Sequence, residues 1–282
     1  MLNYFKSKNI IITGATSGLG ESLSKILGGL DTNLLLISRS REKLNVLKSV
    51  INNSKSIIQT LDLDLTKYIS PKSLYNFSTD YFEHVDIIIN NAGIGYNCFS
   101  TNVDMNIAKE IFQINFFNIV EINKLFLPSM IKRNKGVIVN ISSLGGKRSF
   151  PTNSMYCASK FALEAYTESL RSELKLTNIK IVNIRPSFIK NTKFFDGKYI
   201  SKELGSNYEN NIKEANKMSA DDTAKIILKS IIKGKRDINI SFMCKLVIIL
   251  NNLFPRFVDM LVFKLREKNI VANLKGIVDS SS

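Results

Sequence analysis

Short apolar runs alternate along this chain with stretches whose apolar positions recur every three to four residues. The runs Asn9–Thr13, Asn33–Ser38, Ser56–Asp62, Val85–Asn90, Gly136–Ser142 and Ile179–Arg185 are short and carry few charges. They read as strands buried on both faces. The intervening segments read as helices: one opening at Gly20, then Arg41–Asn52, Asp104–Pro128 and Tyr156–Leu176. Ser219-Ala-Asp-Asp222 resembles a capping box for a further helix ending near Lys233, and Asp237–Ser241 is a seventh candidate strand. No internal repeat is visible. This alternation predicts an α/β fold, a doubly wound parallel sheet of about seven strands with helices on both faces.

The pattern changes at two places. From Ser187 to about Met218 the chain is polar and irregular, with Phe188, Phe194, Phe195 and Tyr199 dispersed in it. A long loop of this kind after a strand is expected to act as a lid. After Ser241, Leu246, Ile249, Leu250, Leu253, Phe254, Phe257, Val258, Leu261, Val262 and Leu265 form one stripe at helical spacing. Pro255 is expected to split the stripe into two helices. Lys245, Arg256, Lys264 and Arg266 line the other side. The chain is therefore expected to divide into a domain over 1–241 and an amphipathic helical extension over 242–282. The stripe has two readings: packing on the domain, a sister subunit or a substrate pocket, or lying on an anionic membrane surface.

Composition narrows the class. The 282 residues, 44% apolar, suffice for one large domain with a sizeable core. Cys98, Cys157 and Cys244 have neither metal nor redox spacing, and one histidine, His84, builds no site with them, so no metal is expected. A disulfide framework is not expected either, which suits a reducing, cytoplasmic location. Met1–Lys8 is too short and polar for a signal peptide, and no apolar run reaches the length of a membrane span. The net charge is +15. Its sources stay open between a chain-wide bias towards Lys, Asn and Ile and attraction to an anionic cofactor or lipid. Nucleic acid is not expected, because the charge is spread and no Arg–aromatic block stands out.

The candidate chemistry sits at strand ends. Gly14, Gly18 and Gly20 make a Gly-x-x-x-Gly-x-Gly turn between a strand and a helix. Such a turn lets a ligand's phosphates approach the backbone and the free amides of a helix start. The second strand ends in Ser38-Arg39-Ser40-Arg41. In a dinucleotide-binding fold an acid here takes the ribose 2′-hydroxyl and an arginine accommodates a 2′-phosphate, so NADP is expected over NAD. Asp64 either accepts from the adenine amino group or caps a helix. Small residues in Asn91-Ala-Gly93 allow the chain to pass close to the cofactor. Asn115 lies in an apolar context and must be hydrogen-bonded, either as a structural amide or as the holder of a water. Tyr156 and Lys160 stand at i and i+4, so a helix would stack them on one face, where the ammonium is expected to depress the phenol pKa. Ser143 follows the fifth strand, at the edge where open α/β sheets bind ligands.

Thr13-Gly-Ala-Thr-Ser-Gly-Leu-Gly20, Asn90-Asn-Ala-Gly93, Asn115, Ser143, Tyr156-Cys-Ala-Ser-Lys160 and Arg185-Pro186 occur in the order of the short-chain dehydrogenase/reductase family, which the chain resembles over roughly residues 8 to 240. The resemblance is closest to its NADP-preferring branch, which includes 3-oxoacyl reductases and 11β-hydroxysteroid-dehydrogenase-like enzymes. It implies an NADP(H)-dependent oxidoreductase interconverting a carbonyl and a secondary alcohol. Tyr156 would exchange the proton and Ser143 would hydrogen-bond the same oxygen. Lys160 would hold the nicotinamide ribose, and Asn115 would fix a water linking Lys160 to solvent. Dinucleotide contacts would fall to Gly14, Ser17, Gly18, Leu19, Gly20, Arg39, Asp64, Asn91, Gly93, Tyr156, Lys160 and Ile189. The apolar lid residues and terminal stripe suggest a hydrophobic substrate, and the resemblance implies a homo-oligomer. The alternative reading is a non-catalytic NADP-binding sensor or scaffold. Ser187, Asn191 with Thr192, and Asn118 depart from the family pattern, which has glycine, an earlier threonine and glycine respectively.

Overall fold

A computed structural model describes residues 2–51, 56–68, 70–186, 189, 199–200, 218–264, 267 and 270–271. Seven strands run in parallel: β1 (Asn9–Thr13), β2 (Asn33–Ser38), β3 (Ile58–Asp62), β4 (Ile87–Asn90), β5 (Gly136–Ile141), β6 (Ile179–Arg185) and β7 (Asp237–Asn239). Their order across the sheet is β3-β2-β1-β4-β5-β6-β7. The doubly wound sheet expected from the alternation is therefore present. The order reverses direction between β1 and β4, which makes the crevice at their carboxyl ends the natural ligand site of the fold.

The pleat explains why the central strands are mostly apolar. Ile10, Ile12, Leu34, Leu36, Ile87, Ile89, Val137 and Val139 point to one face and join a core with Leu23, Leu44 and Ile227. Those three come from helices α1 (Gly18–Gly28), α2 (Arg41–Val50) and α7 (Ala220–Ile232). Ile11, Leu35, Ile37, Ile88, Ile138 and Ile181 point to the opposite face and pack with Leu74, Ile111, Ile122 and Leu170. These belong to α3 (Ser70–Thr79), α4 (Met105–Phe112), α5 (Asn118–Lys132) and α6 (Ser154–Glu173). Each such side chain contributes about 1.5–3 kcal/mol when fully buried. The capping pattern works as expected, since the Ser219 hydroxyl accepts from the Asp222 amide at 3.1 Å.

One row of the sheet is polar instead. Asn90 pairs with Asn140, and Asn140 with Asn183, in register across β4, β5 and β6. All three are buried. Asn90 Nδ2 donates to Asn140 Oδ1 at 2.9 Å and to Asn123 Oδ1 of α5 at 3.3 Å. Asn140 Nδ2 donates to Thr167 Oγ1 of α6 at 2.9 Å. These bonds tie β4 to α5 and β5 to α6, the helix of Tyr156 and Lys160.

The structure alters two expectations. The stretch expected as one helix over Asp104–Pro128 is α4, a π-helical turn at Gln113–Phe117, and α5. A π turn is a common local change at functional positions, and this one carries Asn115. The terminal stripe does split at Pro255, into α8 (Phe242–Leu253) and α9 (Pro255–Lys264). Only part of the stripe is covered, however. Val258 and Val262 are buried, whereas Leu253 and Phe254 are 66% and 59% exposed. Cys244 Sγ lies 3.9 Å from the Arg185 carbonyl, and Asp259 pairs with Arg148 at 2.7 Å. The two helices therefore stand beside the carboxyl end of β6. Most of the expected lid over 187–218, including Phe188, Phe194, Phe195, Ser187, Asn191 and Thr192, lies outside the described residues, as do Leu265 and Arg266.

Candidate active site

The cradle is built from backbone. Gly14 and Gly18 adopt φ of +66° and +50°, a region that L side chains rarely occupy. A Cβ on Gly20 would lie 2.1 Å from the Gly14 carbonyl oxygen and 2.5 Å from Asn91 Nδ2. Only glycine allows α1 to start so close to the end of β1. Ser17 is the N-cap of α1 but its side chain makes no capping bond. The first amides of the helix thus take no bond from the Ser17 side chain at the switch point, with the positive end of the helix dipole behind them. That arrangement fits a dinucleotide's phosphates. The Leu19 side chain belongs to the core, so of this residue only the backbone faces the cradle.

Asn91 holds the cradle shut from the β4 side. Its Nδ2 donates to the carbonyls of Thr13 at 3.0 Å and Gly14 at 3.2 Å. Thr13 Oγ1 in turn accepts from the amides of Asn91 at 3.0 Å and Ala92 at 2.9 Å. The pattern of strands and glycines did not single out Thr13. Its signal was available, because a hydroxyl ending an otherwise aliphatic strand needs a partner. Gly93 follows directly on the same half-buried turn.

At the end of β2 the two arginines differ. Arg41 donates to Asp62 through Nε at 3.1 Å and Nη2 at 3.2 Å, and this pair holds the Asp62 carboxyl below the usual carboxylate range. Arg39 is exposed and makes no hydrogen bond or ion pair among the described residues. Asp64 does not cap α3. Its Oδ1 accepts from the Thr66 amide at 3.0 Å and hydroxyl at 2.9 Å, closing a local turn. Ile189 packs on the core and its backbone bridges Met218.

Ser143, Tyr156 and Lys160 meet at the carboxyl end of β5. Ser143 Oγ accepts from the Gly145 amide at 3.0 Å and shares a hydrogen bond with the Tyr156 hydroxyl. Gly145 lets the ring in, since a Cβ there would sit 3.2 Å from Tyr156 Cε1. Lys160 Nζ donates to the Ile141 carbonyl at 2.9 Å and lies 6.0 Å from the centre of the Tyr156 ring. Both side chains are almost fully buried.

The electrostatics correct one expectation. Burial pushes the Tyr156 phenol above the ordinary tyrosine range, and the Ser143 hydrogen bond opposes this only partly. Lys160 does not depress it in the protein by itself, because its ammonium is turned to the Ile141 carbonyl. Burial also pulls Lys160 down to about 8, against the upward pull of the Glu164 carboxylate.

Asn115 is brought to the same place but faces its own partners. It exchanges hydrogen bonds of 3.0 Å with the Ile94 amide and carbonyl, and its Nδ2 also donates to Ser159 Oγ at 3.0 Å. Ser159 passes this on to the Tyr156 carbonyl at 2.7 Å. Asn115 thereby joins the turn after β4 to the helix of Tyr156. The structural-amide reading accounts for every one of these bonds. Asn118, where a glycine is usual, donates to the Leu65 carbonyl.

Comparison with known proteins agrees with this geometry. The family model for short chain dehydrogenases matches residues 8–201. Dehydrogenase/reductase SDR family member 7B of Mus musculus is 34% identical over 192 residues, 66% of this chain and 59% of that protein. The rat protein of the same name is 31% identical over 263 residues, 90% of this chain and 79% of that protein. Among solved structures, a Burkholderia phymatum short chain dehydrogenase/reductase in complex with NAD superposes with a TM-score of 0.80 at 21% identity, covering 90% of this chain and 95% of that one. A Sphingobium yanoikuyae short-chain dehydrogenase in complex with NADPH gives 0.74 at 20% identity, covering 83% and 88%.

The buried lysine has a measurable signature. Between about pH 8 and 10.5 the folded protein binds fewer protons at Lys160 than the unfolded chain, so stability rises with pH across that window. Relative to a Lys160→Met variant, the wild type should gain stability from pH 8 to 10.5, by at most about 3 kcal/mol. Urea denaturation of both proteins at each pH checks this, and a constant gap would mean the ammonium is not desolvated.

Proposed function

The chain belongs to the short-chain dehydrogenase family, and on that footing we propose that it is an NADP(H)-dependent oxidoreductase interconverting a carbonyl and a secondary alcohol on a hydrophobic substrate. The observation that carries this reading is the buried Ser143–Tyr156 hydrogen bond, with Lys160 one helical turn on, at the same sheet edge as the glycine cradle. The cofactor, when bound, supplies or accepts the hydride. Tyr156 gives the substrate oxygen its proton, or takes it in the reverse direction. Ser143 holds that oxygen and supports the phenol. A phenol raised by burial stays protonated at neutral pH, which suits donation to a carbonyl. Lys160 lies close enough to the phenol to take a ribose hydroxyl between them. The dinucleotide takes the amides of Ser17, Gly18, Leu19 and Gly20 and the turn through Asn91 and Gly93. Asp64 stands at the adenine end, and Ile189 closes the nicotinamide side.

Arg39 supports NADP over NAD. Arg41 is engaged by Asp62, which leaves Arg39 as the cation at the end of β2 for a 2′-phosphate. The exposed side of α8 and α9 supports a peripheral membrane seat, and with it lipid-like substrates. Phe242, Leu253, Phe254 and Phe257 are exposed there among Lys245, Arg256 and Lys264. The helices themselves are too short and polar to cross a bilayer, and no described helix qualifies as a span. The reading places the enzyme at the cytoplasmic face of a membrane, as a homo-oligomer.

Three measurements bear on these statements. Tyr156→Phe should lower kcat for NADPH-dependent reduction of ketones or 3-oxoacyl thioesters by at least about 100-fold, with KM little changed. Retained turnover would remove Tyr156 from the chemistry. Arg39→Ser should cut the kcat/KM ratio of NADPH to NADH by about tenfold or more, and an unaltered ratio would point to NAD. Co-sedimentation with vesicles of anionic phospholipid should fall sharply when Phe254 and Phe257 are replaced by serine. Equal sedimentation of both proteins would assign the apolar side to a sister subunit or the substrate.

A further inference from the structure

We propose that Glu164 is a positioning residue for this site, clamping the helix that presents Tyr156 and Lys160 to the segment after Ser143 through Lys147 and to the end of β6 through Arg185. The inference rests on the reading that Ser143, Tyr156 and Lys160 carry the chemistry.

Tyr156, Lys160 and Glu164 follow one another at i, i+4 and i+8 on α6, so they form one column on one helix face. Glu164 is only 2% exposed and Arg185 6%. Arg185 grips the carboxylate with a two-pronged fork, Nε to Oε1 at 2.8 Å and Nη2 to Oε2 at 2.5 Å. Arg185 is the last residue of β6, immediately before Pro186. Its Nη2 also donates to Asp237 Oδ1 at the start of β7, at 2.9 Å. Lys147, just past the turn that follows Ser143, lies 3.4 Å from Glu164 Oε2 and 2.7 Å from Glu168 Oε1. That turn is pressed onto the column. A Cβ on Gly146 would meet Glu164 Cγ at 2.9 Å, the Lys160 carbonyl at 3.0 Å and Ser142 Oγ at 2.8 Å.

One carboxylate therefore touches the exit of β5, the helix of Tyr156 and the exit of β6. Other placements would hold the sheet together without burying a charge, and desolvating an ion pair is expensive. The location within the column is what the pair contributes. The charged groups facing Glu164 are Lys160 on its own helix, Lys147 from the β5 exit and Arg185 from β6. Asp237 of β7 and Glu168 of α6 face those cations, and Arg171 closes the set by donating to Asp237 at 3.2 Å. Removing the Glu164 charge takes away the anion that acts on the Lys160 ammonium, while Lys147 keeps Glu168 and Arg185 keeps Asp237. The carboxylate also opposes the downward pull of burial on the Lys160 ammonium.

The test uses the full chain with Glu164→Gln, which keeps the shape and removes the charge, and Glu164→Asp, which keeps the charge. Two readouts are taken: kcat and KM for NADPH-dependent ketone reduction, and the Lys160 pKa from NMR of labelled lysine ammonium, assigned with Lys160→Met. Glu164→Gln should lower kcat by about tenfold or more with KM little altered and should shift the Lys160 pKa downward. Glu164→Asp should recover part of both. A folded Glu164→Gln protein with wild-type kcat and an unmoved Lys160 pKa would overturn the proposal. So would a kcat loss with an unmoved Lys160 pKa that Glu164→Asp fails to recover, since that pattern marks a structural role. If Glu164→Gln does not fold, the apolar pair Glu164→Leu with Arg185→Leu takes its place and the same outcomes decide. If the wild type reduces no ketone at all, the enzyme reading fails separately, and the Lys160 pKa alone decides the Glu164 proposal.

Discussion

A desolvated ammonium sits at the junction of everything this protein does. Lys160 reaches from the middle of α6 to the carbonyl at the end of β5, 2.9 Å away. That bond fixes the helix against the sheet at the height where Tyr156 meets Ser143. It also demands an anion nearby, and the Glu164–Arg185 pair answers the demand. Moving α6 along the sheet by one turn would break the bond, strand the charge and separate the phenol from the serine. The geometry of the candidate site and the packing of α6 are thus set by the same contact.

The fold was largely legible in the chain. β1, β2 and β6 begin and end where the apolar runs do, and in β1 and β2 every interior residue is isoleucine or leucine, as burial on both faces requires. The runs at β3 and β4 start two residues later than the hydrophobicity suggests. At β4 the difference is one of bounds alone, because the Asp86 amide already donates to the Asn9 carbonyl and its carbonyl accepts from the Val137 amide, each at 2.9 Å. The π turn at Asn115 left no mark in the periodicity, since the buried positions Ala108, Ile111, Asn115, Ile119, Ile122 and Phe126 keep spacings of three and four across it.

The site was legible to the level of residue types and not to the level of charge states. The spacing of Tyr156 and Lys160 fixes their common face, and the structure places both there. It does not fix which way the ammonium turns. Burial, a property of the whole fold, decides that and reverses the expected direction of the Tyr156 shift. Glu164 was invisible for the same reason. On a helix a glutamate four residues beyond a lysine reads as a solvent-facing pair, and only the packing of β6 and the Gly146 turn shows that it is buried.

The bonded amides of Asn90 and Asn140 have a consequence for how the chain finds its fold. The strands around them are nearly uniform isoleucine, leucine and valine, and such strands pair almost equally well in several alignments. Sliding one strand by a single residue would turn its asparagine into the aliphatic layer on the opposite face, where nothing can bond it. The two amides therefore act as a key that only one alignment of β4 and β5, against each other and against α5 and α6, fits.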